Sequence, residues 1–176
     1  MPEVKSEVKS NALMTSAWLL AVSESFNIAV GEAVVAEYIL QPEINFVPGS
    51  IGYCNEVLSW RGDFIPVMDI SVLLGREPLD AKNVAIVAYQ EYEGQNLQYV
   101  ALKLVTEVTQ IEVSDESMCE TPENYPEVME PITDSLFIHQ GKLTSVIDIA
   151  DLCNEGYRDY ISATQKYDSD QIESAT

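Results

Sequence analysis

Apolar residues in the first third of the chain come in short runs and alternations, the spacing of strands rather than helices. Residues 17–22 are an apolar run holding Trp18, after which Phe26, Ile28 and Val30 alternate with Asn27, Ala29 and Gly31. Two strands follow from this, with Ser23, Glu24 and Ser25 as the turn between them. AVVAEYIL at 33–40 reads as a third extended run, interrupted by Glu37, and Pro42, Pro48 and Gly49 then break the chain into loops. Residues 51–60 start with helical character and end extended. Ahead of all these, residues 1–13 are charged and polar and are expected to form a disordered tail.

One pattern is written twice. WRGDFIPVMDISVLLG at 60–75 and HQGKLTSVIDIADLC at 139–153 superpose with an offset of 79, Gly62 on Gly141, Val67 on Val146, Asp69 on Asp148 and Leu73 on Leu152. Each copy predicts a tight turn at the glycine and a strand running into the core. An Asp then caps a short helix by accepting its free N–H groups. The first helix is expected over 70–74 with Gly75 as its stop, and the second is expected to stop at Gly156. Pro66 has no N–H to donate, which puts its strand at an edge or a bulge.

Between the copies, residues 84–92 and 97–105 are apolar runs flanking EGQN, a β-hairpin signature. From 104 to 141 there is no Lys or Arg but there are nine acids, and 112–131 hold three prolines. That stretch reads as an acidic, irregular connection with one helical turn. Tyr157, Tyr160 and Ile161 extend the second helix by a turn or two, and residues beyond 167 read as disordered. The organisation expected is a tail at 1–13, one domain over 14–154, and a helix end with an acidic tail at 155–176. Short strands, brief helices and an internal duplication together predict a mainly β fold of two small barrels packed side by side.

Charge narrows the function classes. With 9 basic and 29 acidic residues the formal charge is −20, which argues against phosphate-backbone binding and docking on anionic lipid. Cys54, Cys119 and Cys153 are widely spaced with no C-x-x-C, so neither a zinc site nor a disulfide framework is expected, and a reducing, cytoplasmic setting fits. Cys54 and Cys153, in apolar surroundings, are expected to be small core residues. The start of the chain carries two Lys and two Glu, and the run at 17–22 is too short to span a bilayer, so neither a signal peptide nor a span is expected.

Catalytic chemistry has few footholds. His139 is the single histidine and sits before the second turn, where an exposed turn residue is expected. No serine lies in a G-x-S-x-G elbow, and no glycine-rich phosphate loop occurs. Asp115, Glu116 and Glu120 lack the spacing and glycine of a calcium loop, so a solvated loop is expected, with no metal and no cofactor. Arg61, Gly62 and Asp63 spell an adhesion tripeptide out of context. Arg61 reads two ways: a charged anchor for a partner, or a surface cation paired with a nearby acid.

EVLSWRGDFIPVMDISVLLG at 56–75 resembles the signature of the CheW-like domain of bacterial chemosensory systems, in which Arg-Gly precedes an apolar strand, Pro-Val-x-Asp and a short helix. Val35, Ala36, Glu37 and Tyr38 are similar to that family's Val-x-Glu-Ile phrase. Residues 84–108 resemble its central hairpin and 136–153 its closing strand and helix, so the likeness covers about 14–154. The resemblance implies two five-stranded SH3-like barrels and no enzymatic activity. It implies an adaptor that couples chemoreceptor cytoplasmic tips to the regulatory domain of a CheA-type histidine kinase. On it, Arg61 and Gly62 match the contact surface, and Val35, Glu37 and Val108 match positions near the receptor groove. Five positions depart from the family pattern: Glu56 replaces a Gly, Ser59 and Trp60 replace Asn-Leu, Tyr99 replaces a frequent Gly, and Lys103 replaces an Asp. They suggest a specialised array, such as one controlling type IV pilus motility. The alternatives left open are an SH3-like binding module in another assembly and a small-molecule enzyme.

Overall fold

The structure, a computed structural model, describes residues 12–80 and 82–174, with side chains as far as residue 165. The first hairpin forms as the alternation predicts: β1 (Met14–Ser23) pairs antiparallel with β2 (Phe26–Gly31), Ser23 facing Phe26 across a two-residue turn. A 3-10 turn at Glu32–Val34 leads into β3 (Val35–Leu40), then β4 (Ile44–Phe46). A second 3-10 turn, Gly52–Cys54, precedes β5 (Glu56–Trp60), which matches the helical-then-extended reading of 51–60. β6 (Asp63–Met68) and α1 (Ile70–Leu73) complete the first copy of the repeat. β7 (Asn83–Tyr89) and β8 (Gln98–Leu104) form the central hairpin, and β9 (Thr109–Ser114) and β10 (Met118–Cys119) follow. β11 (Thr133–His139), β12 (Lys142–Ile147) and α2 (Ile149–Cys153) are the second copy, before α3 (Glu155–Ser174).

The strands make two six-stranded sheets, ordered β10-β11-β12-β2-β1-β9 and β3-β7-β8-β6-β5-β4. Both have the same plan. In each, the second strand of the repeated hairpin pairs in parallel with another hairpin, Val67 beside Ala101 in one sheet and Val146 beside Ala29 in the other. The plan is circularly permuted between halves: β7 and β8 follow α1, whereas their counterparts β1 and β2 come from the start of the chain. The first sheet is therefore closed by the most distant parts of the chain, whereas the second is built from the consecutive strands β3 to β8 inserted between them.

Alternation along the strands separates three cores. Val84, Ile86 and Ala101 point into the interior of the second sheet with Leu58, Trp60, Ile65 and Val67. Their neighbours Ala85, Val87, Val100 and Leu102 point the other way, into a large cluster shared with Leu20, Ile28 and Val30 of the first sheet. Ala17, Ala29, Ile111 and Phe137 fill the first sheet's own interior. β7 and β8 thus bury both faces, which is why they read as continuous apolar runs rather than alternations.

Several expectations are corrected. Each sheet carries six strands rather than five, because β4 and β10 add short rungs. The acidic connection is not irregular throughout: β9 pairs with β1 over six residues from Met14 to Leu19, and Glu127–Ile132 is a 3-10 helix. Its acids alternate with residues such as Ile111 that turn inward, so a strand survives beneath the charge. The central hairpin pairs only to Tyr89 and Gln98, so its strands are shorter and its loop longer than EGQN suggests. The second helix stops at Cys153, not Gly156; Asn154 accepts a hydrogen bond from the Tyr157 N–H at 2.7 Å and starts a new helix, α3, which continues to Ser174. His139 is half-buried at the end of β11, facing Lys142. The tail expected at 1–13 lies outside the described residues except for its last two.

Pro66 is in a strand with neighbours on both sides, yet β6 pairs with β8 only at Val67 and Met68. Alternation from the turn makes Val57 and Pro66 a pair without mutual hydrogen bonds, so the absent N–H faces the side still open at that level.

Candidate docking surface

The β5–β6 turn is set by backbone chemistry. Arg61 and Gly62 have φ of 52° and 89°, the left-handed pair of a two-residue turn whose twist matches its strands. Gln140 and Gly141 repeat it at 48° and 75°. This explains the duplicated glycine and throws residue 61 outward at the tip.

The Arg61 side chain is 66% exposed but not free. Its guanidinium carbon lies 4.4 Å over the Trp60 ring, and Nη2 is 3.5 Å from Glu37 Oε2. The same oxygen accepts a hydrogen bond from Trp60 Nε1 at 2.8 Å. Tyr99 packs against Trp60 with ring centroids 4.7 Å apart. Arg61 therefore pairs with an acid, as one of its two readings expected, and remains presented to solvent. Phe64, two residues past Gly62, is 76% exposed and adds an apolar surface that the sequence did not single out.

The opposite end of the same barrel interior holds an ionic cluster. Lys103, 6% exposed, pairs with Glu56, lies 3.8 Å from Asp69 Oδ2, and donates to the Leu79 carbonyl at 3.3 Å. Asp69 meanwhile caps α1, accepting from the N–H groups of Ser71 at 3.0 Å and Val72 at 3.4 Å, and it takes the Leu79 N–H at 2.8 Å. Asp148 caps α2 as expected, accepting from the Ala150 N–H at 2.7 Å, but it is exposed and pairs with no lysine among the described residues.

Glu56 and Trp60 share one face of β5, and Tyr99 and Lys103 share one face of β8. Four of the five departures from the pattern quoted above thus line one barrel, two at each end, while Ser59 is exposed on the other face of β5. Glu56 and Lys103 are partners. A buried ammonium without a counter-ion is costly, so a lysine here requires an acid within reach.

Val35 and Val108 lie at the seam between the sheets, half-buried against the shared core. Residues around them interlock across it: Gln110 Nε2 donates to Glu32 Oε1 at 2.7 Å, and Trp18 Nε1 to the Glu32 carbonyl at 3.0 Å. The Tyr38 hydroxyl is buried without a partner among the described residues; burial, then Glu107, raises its pKa. The five expected contact residues thus form two groups, Arg61, Gly62 and Glu37 at the barrel end, and Val35 and Val108 at the seam. β3, the edge strand of its sheet, joins them, since it carries both Val35 and Glu37.

Among the described residues no group of three or more His, Cys, Asp or Glu is placed to share a metal ion, and no helix is long and apolar enough to cross a membrane. Cys153 is buried and Cys54 half-buried, and both line one pocket, a proximity that their spacing of 99 residues hid.

No curated protein sequence matches the chain. Among solved structures it is similar to the crystal structure of the scaffolding protein TtCheW from Thermoanaerobacter tengcongensis. That match has a TM-score of 0.60 and 17% identity, covering 78% of this chain and 90% of that one. The fold is the same, with two SH3-like subdomains. The family model of the CheW-like domain matches residues 19–157. That span takes in both sheets, the doubled turn–strand–Asp–helix unit and the Arg61 turn, and the chain belongs to the CheW-like domain family.

Proposed function

We propose that this chain is a non-enzymatic cytoplasmic adaptor of a chemotaxis-type signalling array, coupling chemoreceptor cytoplasmic tips to the regulatory domain of a CheA-type histidine kinase. The observation that carries this reading is the family match over residues 19–157, which includes an Arg61 turn held outward by Glu37 and Trp60. Strand edges and an apolar seam suit a helical tip or another small barrel, and rim charges fix orientation. Within this reading, Glu56, Trp60, Tyr99 and Lys103 point to a specialised array, such as one controlling type IV pilus motility.

The test is co-sedimentation of the purified chain with a cognate receptor cytoplasmic fragment and with the kinase regulatory domain. Weak association is expected, roughly −6 to −7 kcal/mol, so concentrations of tens of micromolar are needed. Arg61→Glu should weaken assembly by about 1–3 kcal/mol. Absence of binding to both partners at those concentrations retires the adaptor reading.

A further inference from the structure

Beside the shared core lies a pocket of about 400 Å³ whose walls come from both halves of the molecule. Ile51, Tyr53, Cys54 and Met68 belong to the half built on the second sheet. Cys153 and Arg158 belong to α2 and α3, which follow the first. The volume is within the range of small-molecule sites, which pair apolar walls with a few convergent polar groups.

Two of its donors lack partners. The Tyr53 side chain is 2% exposed; its hydroxyl makes no hydrogen bond with any described residue and is not among the polar atoms closed off from solvent. Arg158 is exposed at the pocket's rim, and its guanidinium makes no hydrogen bond or ion pair with any described residue. Its charge nevertheless acts on Tyr53, Cys54 and Cys153, so it stands over the pocket rather than away from it. Both donors are therefore open to a ligand in the pocket, and a guanidinium fork matches a carboxylate.

We propose that this pocket binds a small monocarboxylate with an apolar body, its carboxylate held by Arg158 and the Tyr53 hydroxyl and its tail against Ile51 and Met68. A polyanion fits less well, because the neighbouring pocket on the other side of the α2–α3 junction is lined by Glu91, Asp151 and Glu155. The bound acid joins the two halves, so it stabilises the seam at which Val35 and Val108 lie. This site is separate from the Arg61 surface, and its test does not depend on the adaptor reading.

The experiment is a titration of the ¹⁵N-labelled full chain with sodium hexanoate and, in parallel, with neutral hexanamide, following the amides of Gly52, Cys54 and Cys153. Hexanoate should give saturable shifts at these positions. Hexanamide should bind roughly tenfold more weakly or worse, and Arg158→Met should weaken hexanoate by a similar factor. Tyr53→Phe should weaken it a few-fold, and Arg158→Lys should restore part of the loss. Equal binding of the acid and the amide means an apolar cleft with no anion recognition and overturns the proposal, as does the absence of saturable shifts. If Arg158→Met misfolds, the comparison of acid and amide on the unaltered chain decides.

Discussion

Lys103 is the residue whose environment says most about this chain. It sits inside a barrel, which only the adjoining carboxylates of Glu56 and Asp69 make tolerable. Lys103→Met should destabilise by about 3–5 kcal/mol, because two carboxylates then share a site with no cation. Adding Glu56→Leu should recover most of that loss, and a denaturant double-mutant cycle measures the coupling. Arg61 is the opposite case. Its ion pair is exposed, so Arg61→Ala should cost less than about 1 kcal/mol of stability while still weakening partner binding. A large fall in melting temperature would make Arg61 a folding residue instead.

Two other side chains give the molecule an alkaline limit. Burial pushes the Cys153 thiol from 9.0 to about 12 and the Tyr53 phenol from 10.0 to about 12. The folded chain holds these protons more tightly than the unfolded one. Their contribution is therefore complete below pH 9 and declines as pH rises towards 12, with a slope of at most about 1.4 kcal/mol per pH unit for each group. Urea midpoints should fall over that window, and less steeply in Cys153→Ala.

Among the elements, the two short helices look equivalent in sequence and are not equivalent in energy. α2 receives one capping bond from an exposed Asp148, so Asp148→Ala should cost about 1 kcal/mol. Asp69 caps α1, holds the Leu79 N–H and faces Lys103, so Asp69→Ala should cost several times that. Equal losses in chemical denaturation would contradict this asymmetry. The repeated Asp was legible because capping is local: its donors lie two or three residues away. α3 was legible only in part. Its anchors are the Tyr157 hydroxyl, which donates to the Val128 carbonyl at 2.6 Å, and Ile161, 1% exposed in the shared core. Both depend on a segment nearly thirty residues upstream, so the polar face visible in sequence suggested a shorter helix.

For the whole molecule, the interleaved connectivity predicts cooperativity. The first sheet needs β1 and β2 from the start of the chain and β9 to β12 from the other half, and the largest core takes side chains from both sheets. Neither barrel can be removed without exposing that core. The chain's two tryptophans report on different sheets, Trp18 on β1 and Trp60 on β5. Single-tryptophan variants made by Trp18→Phe and Trp60→Phe should unfold with coincident fluorescence transitions. Two separate midpoints would mean that the barrels are independent.

The sequence alone determined what depends on neighbours along the chain: the glycine turns, the Asp caps, the strand runs, the doubled unit and the mainly β class. These follow from backbone sterics and from hydrogen bonds that close over a few residues. Only the tertiary structure decided what depends on distant partners. It bonded Glu56 to Lys103, set Glu37 against Arg61 and Trp60, made β9 a strand against β1, and brought Cys54 beside Cys153. The physical reason is that long-range pairing is fixed by how two sheets close around shared and private cores. No spacing of residues along one chain records that closure.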